Sequence, residues 1–327
     1  MVTISVYTSP FSDAPFPVLP DADAAIVARE NGAVVARCAL WWRGNLPTLS
    51  GERCGVLGQY EATLDDAAAS VLERALAELK SQGCTRAIGP MDGNTWRRYR
   101  FVSGNGNGGE SDRIEPPFFL EPTNPDTYPD QFRAAGFVPL ATYSSRVTDD
   151  MDHRDARAER VAERIAAAGV VLRPFKAEQV DDELHRIYEL SRVSFRDNFL
   201  YTPLPETEFV DSYRRIVPYI RPQLTVMAET GNGDLVGFLF ALPDLEEAKR
   251  GESPRTVIVK TVAVLPGRDW AGLGMLLLDR CQAAARDAGF SRAIHALMHD
   301  GNASRNLSVV YGAARAVRRY TLYERAL

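Results

Sequence analysis

One stretch constrains this chain more than any other: Val257–Gly289, VIVKTVAVLPGRDWAGLGMLLLDRCQAAARDAG. Val257–Leu265 is apolar and mostly β-branched except at Lys260 and Thr261, the pattern of a strand covered on both faces. Pro266 and Gly267 end it. Gly272 and Gly274 then stand where a helix begins, and Leu273, Leu277, Cys281, Ala284 and Ala288 recur at steps of three and four as one apolar face. Gly289 stops that helix. A glycine-bearing turn feeding a helix N-terminus gathers backbone N–H groups at one spot, an arrangement suited to phosphate. Without further context, the same stretch is a plain strand–helix unit of an α/β domain.

The chain has 327 residues, enough for two domains. A net charge of −5 argues against a nucleic-acid partner. No apolar run is long enough to span a bilayer, so no membrane partner is expected. The opening residues lack a basic region followed by an apolar core. The cysteines, Cys38, Cys54, Cys84 and Cys281, are scattered, and the histidines, His153, His185, His295 and His299, form no HExxH pair. These features predict a cytoplasmic protein with reduced thiols and no metal.

In chain order, Ala24–Arg29 and Ala33–Trp42 flank Glu30-Asn31-Gly32, a hairpin signal. Cys54–Tyr60 reads as a third strand. Asp65 or Asp66 caps a helix with Ala69, Leu72, Ala75, Leu76 and Leu79 inward, and Thr85–Ile88 is a strand. Ser103–Ser111, SGNGNGGES, is too glycine-rich to pack. Trp96, Phe118 and Phe119 lie among prolines in Gly89–Trp96 and Glu115–Pro122; two readings stand, a loop sealing the sheet or part of an acceptor pocket. Tyr128–Ala135 is a helix and Phe137–Val147 a strand. Asp149–Ala168 reads as an exposed connecting helix with a solvated charged face.

The order then begins again. Val170–Arg173 is a strand, Glu178–Asn198 a helix with Leu184, Ile187, Tyr188 and Val193 inward, and Pro205–Val217 a second helix. Leu224–Glu229 and Leu235–Leu242 form a hairpin around Gly231–Asp234. After the Val257–Gly289 unit come a strand at Arg292–Leu297, a short helix at Asn302–Tyr311 and a last strand at Ala316–Glu324.

This second-half order, with the VAVLP…GLG segment, resembles the GNAT superfamily of N-acyltransferases over roughly Val170–Leu327. The family's turn signature begins with Gln or Arg. Here both glycines, Gly272 and Gly274, match, but the first position is Asp269, with Arg268 one place earlier. Asp269 either turns away while Arg268 substitutes, or caps the helix, or marks altered donor binding, since a carboxylate repels pyrophosphate. Asp23–Val147 shows a similar order, and its GPMDGNTW and PPFFLEP segments resemble those of a group of bacterial GNAT-like proteins. Its matching turn, Tyr60–Asp66, has three carboxylates and no glycine. The expected class is therefore α/β: two GNAT-like domains, each a mixed, mostly antiparallel sheet flanked by helices. Residues 1–148 form a divergent copy without donor binding, 149–169 a connecting helix, and 170–327 the acyltransferase domain.

The resemblance implies acyl transfer from acetyl-CoA or another acyl-CoA to the amine of a small molecule. Backbone groups of Val262, Ala263 and Val264 would meet the pantetheine arm, and an N–H of Val262 or Val264 the oxyanion. The turn Arg268, Asp269, Trp270, Ala271, Gly272, Leu273, Gly274 and Met275 would hold the pyrophosphate. Asn302 either contacts the donor arm or caps a helix. The strand lacks the carboxylate base of many relatives; Lys260 there either binds an acidic substrate group or reaches the rim. His295 is a packed histidine or a base, and His299, at a strand end, is a similar candidate. Counting back from Gly312, the relatives' acid position falls on Ser308, with Tyr311 nearby. Two other readings stay open: acyl transfer from an acyl carrier protein, and a non-catalytic acyl-CoA sensor.

Overall fold

A computed structural model describes residues 2–49, 51–105, 115–301, 308, 310, 311 and 315–327. The first half runs β1 (Val2–Thr8), β2 (Ala24–Glu30), β3 (Ala33–Trp41), β4 (Cys54–Ala62), α1 (Asp65–Ser81), β5 (Arg86–Gly89), β6 (Phe101–Asn105), α2 (Thr127–Ala134) and β7 (Val138–Thr148). After α3 (Ala158–Ala167) come β8 (Val170–Pro174), α4 (Val180–Ser194), α5 (Glu206–Arg214), β9 (Val226–Thr230), β10 (Leu235–Pro243), α6 (Leu245–Lys249) and β11 (Thr256–Val264). α7 (Leu273–Asp287), β12 (Arg292–His299) and β13 (Arg315–Ala326) follow. Among the described residues no helix is long and apolar enough to cross a membrane.

The fold class read from the sequence holds: a mixed, mostly antiparallel sheet flanked by helices. What the sequence did not reveal is that the two halves share one 13-stranded sheet, in the order β1-β2-β3-β4-β5-β13-β7-β12-β11-β10-β9-β8, with β6 beside β13. Two pairs are parallel, β4 with β5 and β11 with β12. The last strand of the chain, β13, lies between β5 and β7 of the first half, with Tyr323 opposite Gly89 and Tyr320 opposite Tyr143. β7, from the first half, in turn pairs with β12, His295 standing opposite Arg146. Each half therefore completes its sheet with a strand from the other.

The apolar periodicity explains the layers. α1 and α2 bury Leu72, Leu76, Tyr128 and Phe132 on one face of the first half. In the second half α7 packs Leu273, Leu277 and Cys281 on one face, against Val257 and Val259 of β11. α4 and α5 pack Ile187, Tyr188 and Phe209 on the opposite face, against Ile258 and Ala296. A fully covered strand needs apolar residues on both sides, as β11 has.

Several local expectations need correction. Ala69 is exposed, and α1 buries Ala67, Ala68 and Val71 as well. Neither Asp65 nor Asp66 caps α1, whose N-cap is Leu64 with no side-chain cap bond. Val193 is 40% exposed. Within the segment expected not to pack, Ser103–Asn105 continues β6 against β13; the rest, to Ser111, lies outside the described residues. So does most of the helix expected at 302–311.

The connecting segment also differs from its reading as a solvated face. α3 buries Ala158 and Ile165, and Val161 packs on the α7 side of the sheet. Its partner there is the glycine turn before α7.

Candidate active site

β11 and β12 are parallel neighbours from Thr256 opposite Arg292 to Val259 opposite His295. Beyond that point they part. β10 shifts register against β11 at Phe240/Ala241, opposite Lys260. Leu297 adopts a left-handed backbone, φ 58°, and β12 shifts register against β7 between His295 and Met298. The result is a fork with one unpaired edge on β11. Leu265 donates to the Val236 carbonyl on the β10 side. By strand alternation the N–H groups of Val264 and Val262 face the open edge. Ser194 Oγ occupies the Val264 carbonyl at 3.0 Å.

At the far end of β11 the chain makes the glycine turn. Gly272 is the N-cap of α7 with φ 80°, a backbone that L side chains adopt only at a cost. Leu276 bonds back to the Gly272 carbonyl, so Gly274 and Met275, in the first turn, have no helical acceptor for their N–H groups. A β-carbon on Gly274 would touch Val262 and Val264 at 3.6 and 3.7 Å, which places the helix start directly over the open strand edge. The side chains of Leu273 and Met275 are buried in the core, so these residues offer the turn only their backbones.

Asp269 and Arg268 are exposed. Asp269 does not cap α7, which has no side-chain cap bond. The basic group that reaches the turn comes from α3. Arg164 Nη1 donates to the Asp269 carbonyl at 2.7 Å, and its Nη2 to the Ala271 carbonyl. Sequence reading missed this residue because it looked like one more charge on a solvated helix.

The fork opens into a cavity of about 690 Å³. From the fork it is lined by Val259, Lys260, Thr261, Val262, His295 and His299, from α7 by Leu278, and by Ser308. Phe195, Phe199, Tyr201, Tyr213 and Ile216 form an aromatic and aliphatic wall, and Trp96, Tyr99, Arg100, Glu121 and Tyr143 close the side toward the first half.

Of the proposed acceptor residues, Trp96 lines this cavity, its indole N–H on the Thr202 carbonyl at 2.9 Å and its ring edge-on to Phe209 at 5.5 Å. Phe118 and Phe119 do not line it. Phe118 is buried in the α4/α5 core, and Phe119 packs edge-on to Tyr219 at 5.7 Å. They seal the sheet, and the next residues, Leu120 and Glu121, reach the cavity. Lys260 is half-buried and donates to the Leu120 carbonyl at 3.1 Å. Desolvation, reinforced by the nearby Arg100 charge, pushes its ammonium down to about 8.

His295 is buried, and burial pushes its imidazole down to about 4, so it stays neutral at ordinary pH. Among the described residues its Nε2 has no hydrogen-bond partner, nor does the buried Ser308 Oγ. Both residues line the cavity. Leu297, with its left-handed backbone, packs with Ile294 and Ala296 in the α4/α5 core. His299 accepts the Gly301 N–H on Nδ1 at 3.0 Å. Its neutral ring therefore carries the proton on Nε2 and keeps no free lone pair for a base. Tyr311 does not reach the cavity: it is buried, with its hydroxyl 3.3 Å from the Met275 carbonyl and 3.4 Å from Asp279. Burial raises its phenol far above the ordinary range. Asn302 lies outside the described residues.

The first half has a matching parallel pair, β4 and β5, but its fork is filled. The Met91 N–H bonds to the Leu57 carbonyl, and Asp92 Oδ1 accepts the Gln59 N–H at 2.6 Å. A β-carbon on Gly58 would lie 2.6 Å from that carboxylate and closer still to the Met91 carbonyl.

No protein-family model matches the chain. A bacterial ceramide synthase from Caulobacter vibrioides is 24% identical over 195 residues, 59% of this chain and 49% of that protein. The chain thus matches about half the length of that curated relative. Among solved structures, a GCN5-related glucosamine N-acetyltransferase region of a fungal multi-domain β-N-acetylglucosaminidase superposes with a TM-score of 0.56 at 14% identity, over 99% of this chain and 38% of that one. A probable N-acyltransferase from Enterococcus faecalis gives 0.54 at 8% identity, over 100% and 73% of the two chains. A GCN5-related N-acetyltransferase from Sphaerobacter thermophilus gives 0.50 at 12%, over 96% and 83%.

The chain has the GNAT N-acyltransferase fold. Within that GNAT frame the forked strand pair, the glycine turn and the cavity stand in the second half, while the equivalent fork of the first half is occupied by its own loop.

Proposed function

We propose that this protein is an N-acyltransferase that moves an acyl group from acyl-CoA to the primary amine of a small molecule. The observation that carries the reading is the open edge of β11, with the glycine turn at one end and the cavity at the other. The donor pyrophosphate sits at the N–H groups of Gly274 and Met275, and the Arg164 guanidinium supplies the positive charge that Asp269 does not. Its pantetheine arm runs along Val262–Val264, and the thioester reaches the fork.

The amine approaches from the cavity and attacks the thioester carbonyl. The oxyanion meets the free N–H of Val262 or Val264. Collapse breaks the C–S bond and leaves an amide and a thiolate. In this reading Ser308 Oγ and neutral His295, two cavity-lining polar groups without partners among the described residues, donate to and relay a proton toward the sulfur. His299 has no lone pair free, so the attacking amine enters in its neutral form and loses its proton to cavity water. Orientation of amine against thioester supplies much of the rate.

The cavity is larger than an acetyl group requires, and its aromatic wall suits a long apolar chain. The distant ceramide synthase relative supports an apolar acyl group or acceptor. Saturating the protein with acyl-CoAs of increasing length, with and without a panel of amines, and following thiol release tests the reading. Amine-dependent release supports it. Tight binding with no release would make the protein an acyl-CoA sensor, and acylation only from a carrier-protein thioester would change the donor.

A further inference from the structure

Arg100 is 7% exposed and lines the cavity. Its guanidinium lies 4.1 Å from the Tyr99 ring centre and 4.3 Å from that of Tyr143, and Nη1 donates to the Tyr99 hydroxyl at 2.6 Å. Nε has no partner. A buried guanidinium is ordinarily matched by a carboxylate. Among the described residues none stands within ion-pair distance of this one.

The other charges of the cavity sharpen the point. Arg97 is held by Asp21 and Glu208, and Arg98 by Asp92. Glu121 is the single carboxylate among the described lining residues. Its Oε1 takes Arg318 at 3.1 Å and the Tyr320 hydroxyl, and its Oε2 takes the Phe118 N–H at 3.2 Å. Lys260 touches a carbonyl rather than a carboxylate. Two cations, Arg100 and Lys260, thus line one cavity, and among the described residues neither is in an ion pair with a carboxylate; the carboxylate acting on Lys260, Glu121, is already taken by Arg318 and Tyr320.

We infer that Arg100, with Lys260 beside it, binds an anionic oxygen group, a carboxylate or a phosphate, carried by the acceptor amine. This rests on the acyltransferase reading for the word acceptor, while the anion site itself does not. The Tyr99 and Tyr143 rings flank the guanidinium and fix its place in the cavity wall, but neither supplies a negative charge. The acceptor class becomes an amine with a fixed acidic group, and that group sets which way the amine points.

Calorimetric titration separates the two ideas because it needs no turnover. Hexylamine, 6-aminohexanoate and 3-aminopropyl phosphate serve as probes, and acyl-CoA binding is measured in parallel. The expected result is at least tenfold tighter binding of one acidic amine than of hexylamine, with the carboxylate and phosphate arms naming the group. Arg100→Gln should remove most of that preference, and Lys260→Met, at a half-buried rim position, should reduce it several-fold even if Arg100→Gln does not fold. An acidic preference below threefold, or one that survives Lys260→Met and any folded Arg100 variant, overturns the inference. Loss of acyl-CoA binding alone would count against the donor reading and leave the anion site standing.

Discussion

Val161 of the linker helix stands against Gly272 of the glycine turn before α7: its Cγ2 lies 3.1 Å from where a β-carbon on that glycine would sit. Two constraints therefore meet at one residue, a left-handed backbone with φ 80° and a close neighbour. Gly272→Ala should cost roughly 1–2 kcal/mol from the backbone alone and weaken acyl-CoA binding by displacing α7. Adding Val161→Ala should recover the steric part only. Gly272→Asp should abolish donor binding, since it also places a carboxylate beside the pyrophosphate. Unchanged acyl-CoA affinity in Gly272→Asp, read by calorimetry, would remove the turn from the donor site.

Arg164 reaches the same turn from α3 through the carbonyls of Asp269 and Ala271. Arg164→Ala should raise the KM for acyl-CoA about tenfold, the size of one lost charge-assisted contact, while kcat changes little. Arg164→Lys should restore only part, because one ammonium cannot span both carbonyls in a fixed fork. A wild-type KM in Arg164→Ala would assign the residue to helix docking alone.

Ser308 carries a buried hydroxyl in the cavity wall that has no partner among the described residues. Ser308→Ala should lower kcat roughly a hundredfold, the lower end of the range for proton transfer, and leave the KM for both substrates near its original value. Steady-state kinetics with a thiol readout decide this; an unchanged kcat rules out the leaving-group role.

His295 makes stability depend on pH in a stated direction. It titrates near 6.5 when unfolded and at about 4 when folded, so the unfolded chain binds the extra proton between those values. Its contribution is fully present above pH 6.5 and is lost as pH falls toward 4, by about 3 kcal/mol. Urea denaturation at steps of pH should show this slope, and His295→Leu should flatten it relative to the parent. Equal slopes in the two proteins would mean that the ring is not held neutral.

Gly58 supports the reading that the first half has no donor cleft. Gly58→Ala should destabilise the fold by at least ~1–3 kcal/mol, the usual cost of overpacking, because the Met91 carbonyl and Asp92 occupy that space. Acyl-CoA affinity of the folded fraction should not change. A drop in affinity would place a donor contact in this half.

Much of the layer order was legible in the residues because it depends on local period. The apolar runs Ala24–Arg29 and Ala33–Trp42, the Glu30-Asn31-Gly32 turn between them and the three–four spacing of α7 are each properties of neighbouring residues in one stretch of chain. The same locality explains the errors. Val193 follows the helical period of α4 but lies beyond what its neighbours cover. Phe118 and Phe119 carry the composition of a pocket wall, yet which aromatic reaches a cavity depends on the path of a proline-rich loop, and Trp96 alone among the three does.

By itself, the sequence determined the strand, turn and helix of Val257–Gly289, the place of the glycines and the mixed sheet with its two similar halves. Those follow from dihedral preferences and from which faces must leave water. Tertiary structure alone decided that β7 and β13 are exchanged between halves, that Arg164 rather than Arg268 reaches the turn's backbone, and that Arg100 stands in the cavity wall with no carboxylate partner among the described residues. Strand partners and charge partners far apart in the chain are chosen by hydrogen-bond registry and by the cost of burying a charge, and neither leaves a local signal. The feature on which the anion-site inference rests, a buried guanidinium with no carboxylate in ion-pair reach among the described residues, is a property of what surrounds Arg100 and not of the segment WRRYR in which it is written.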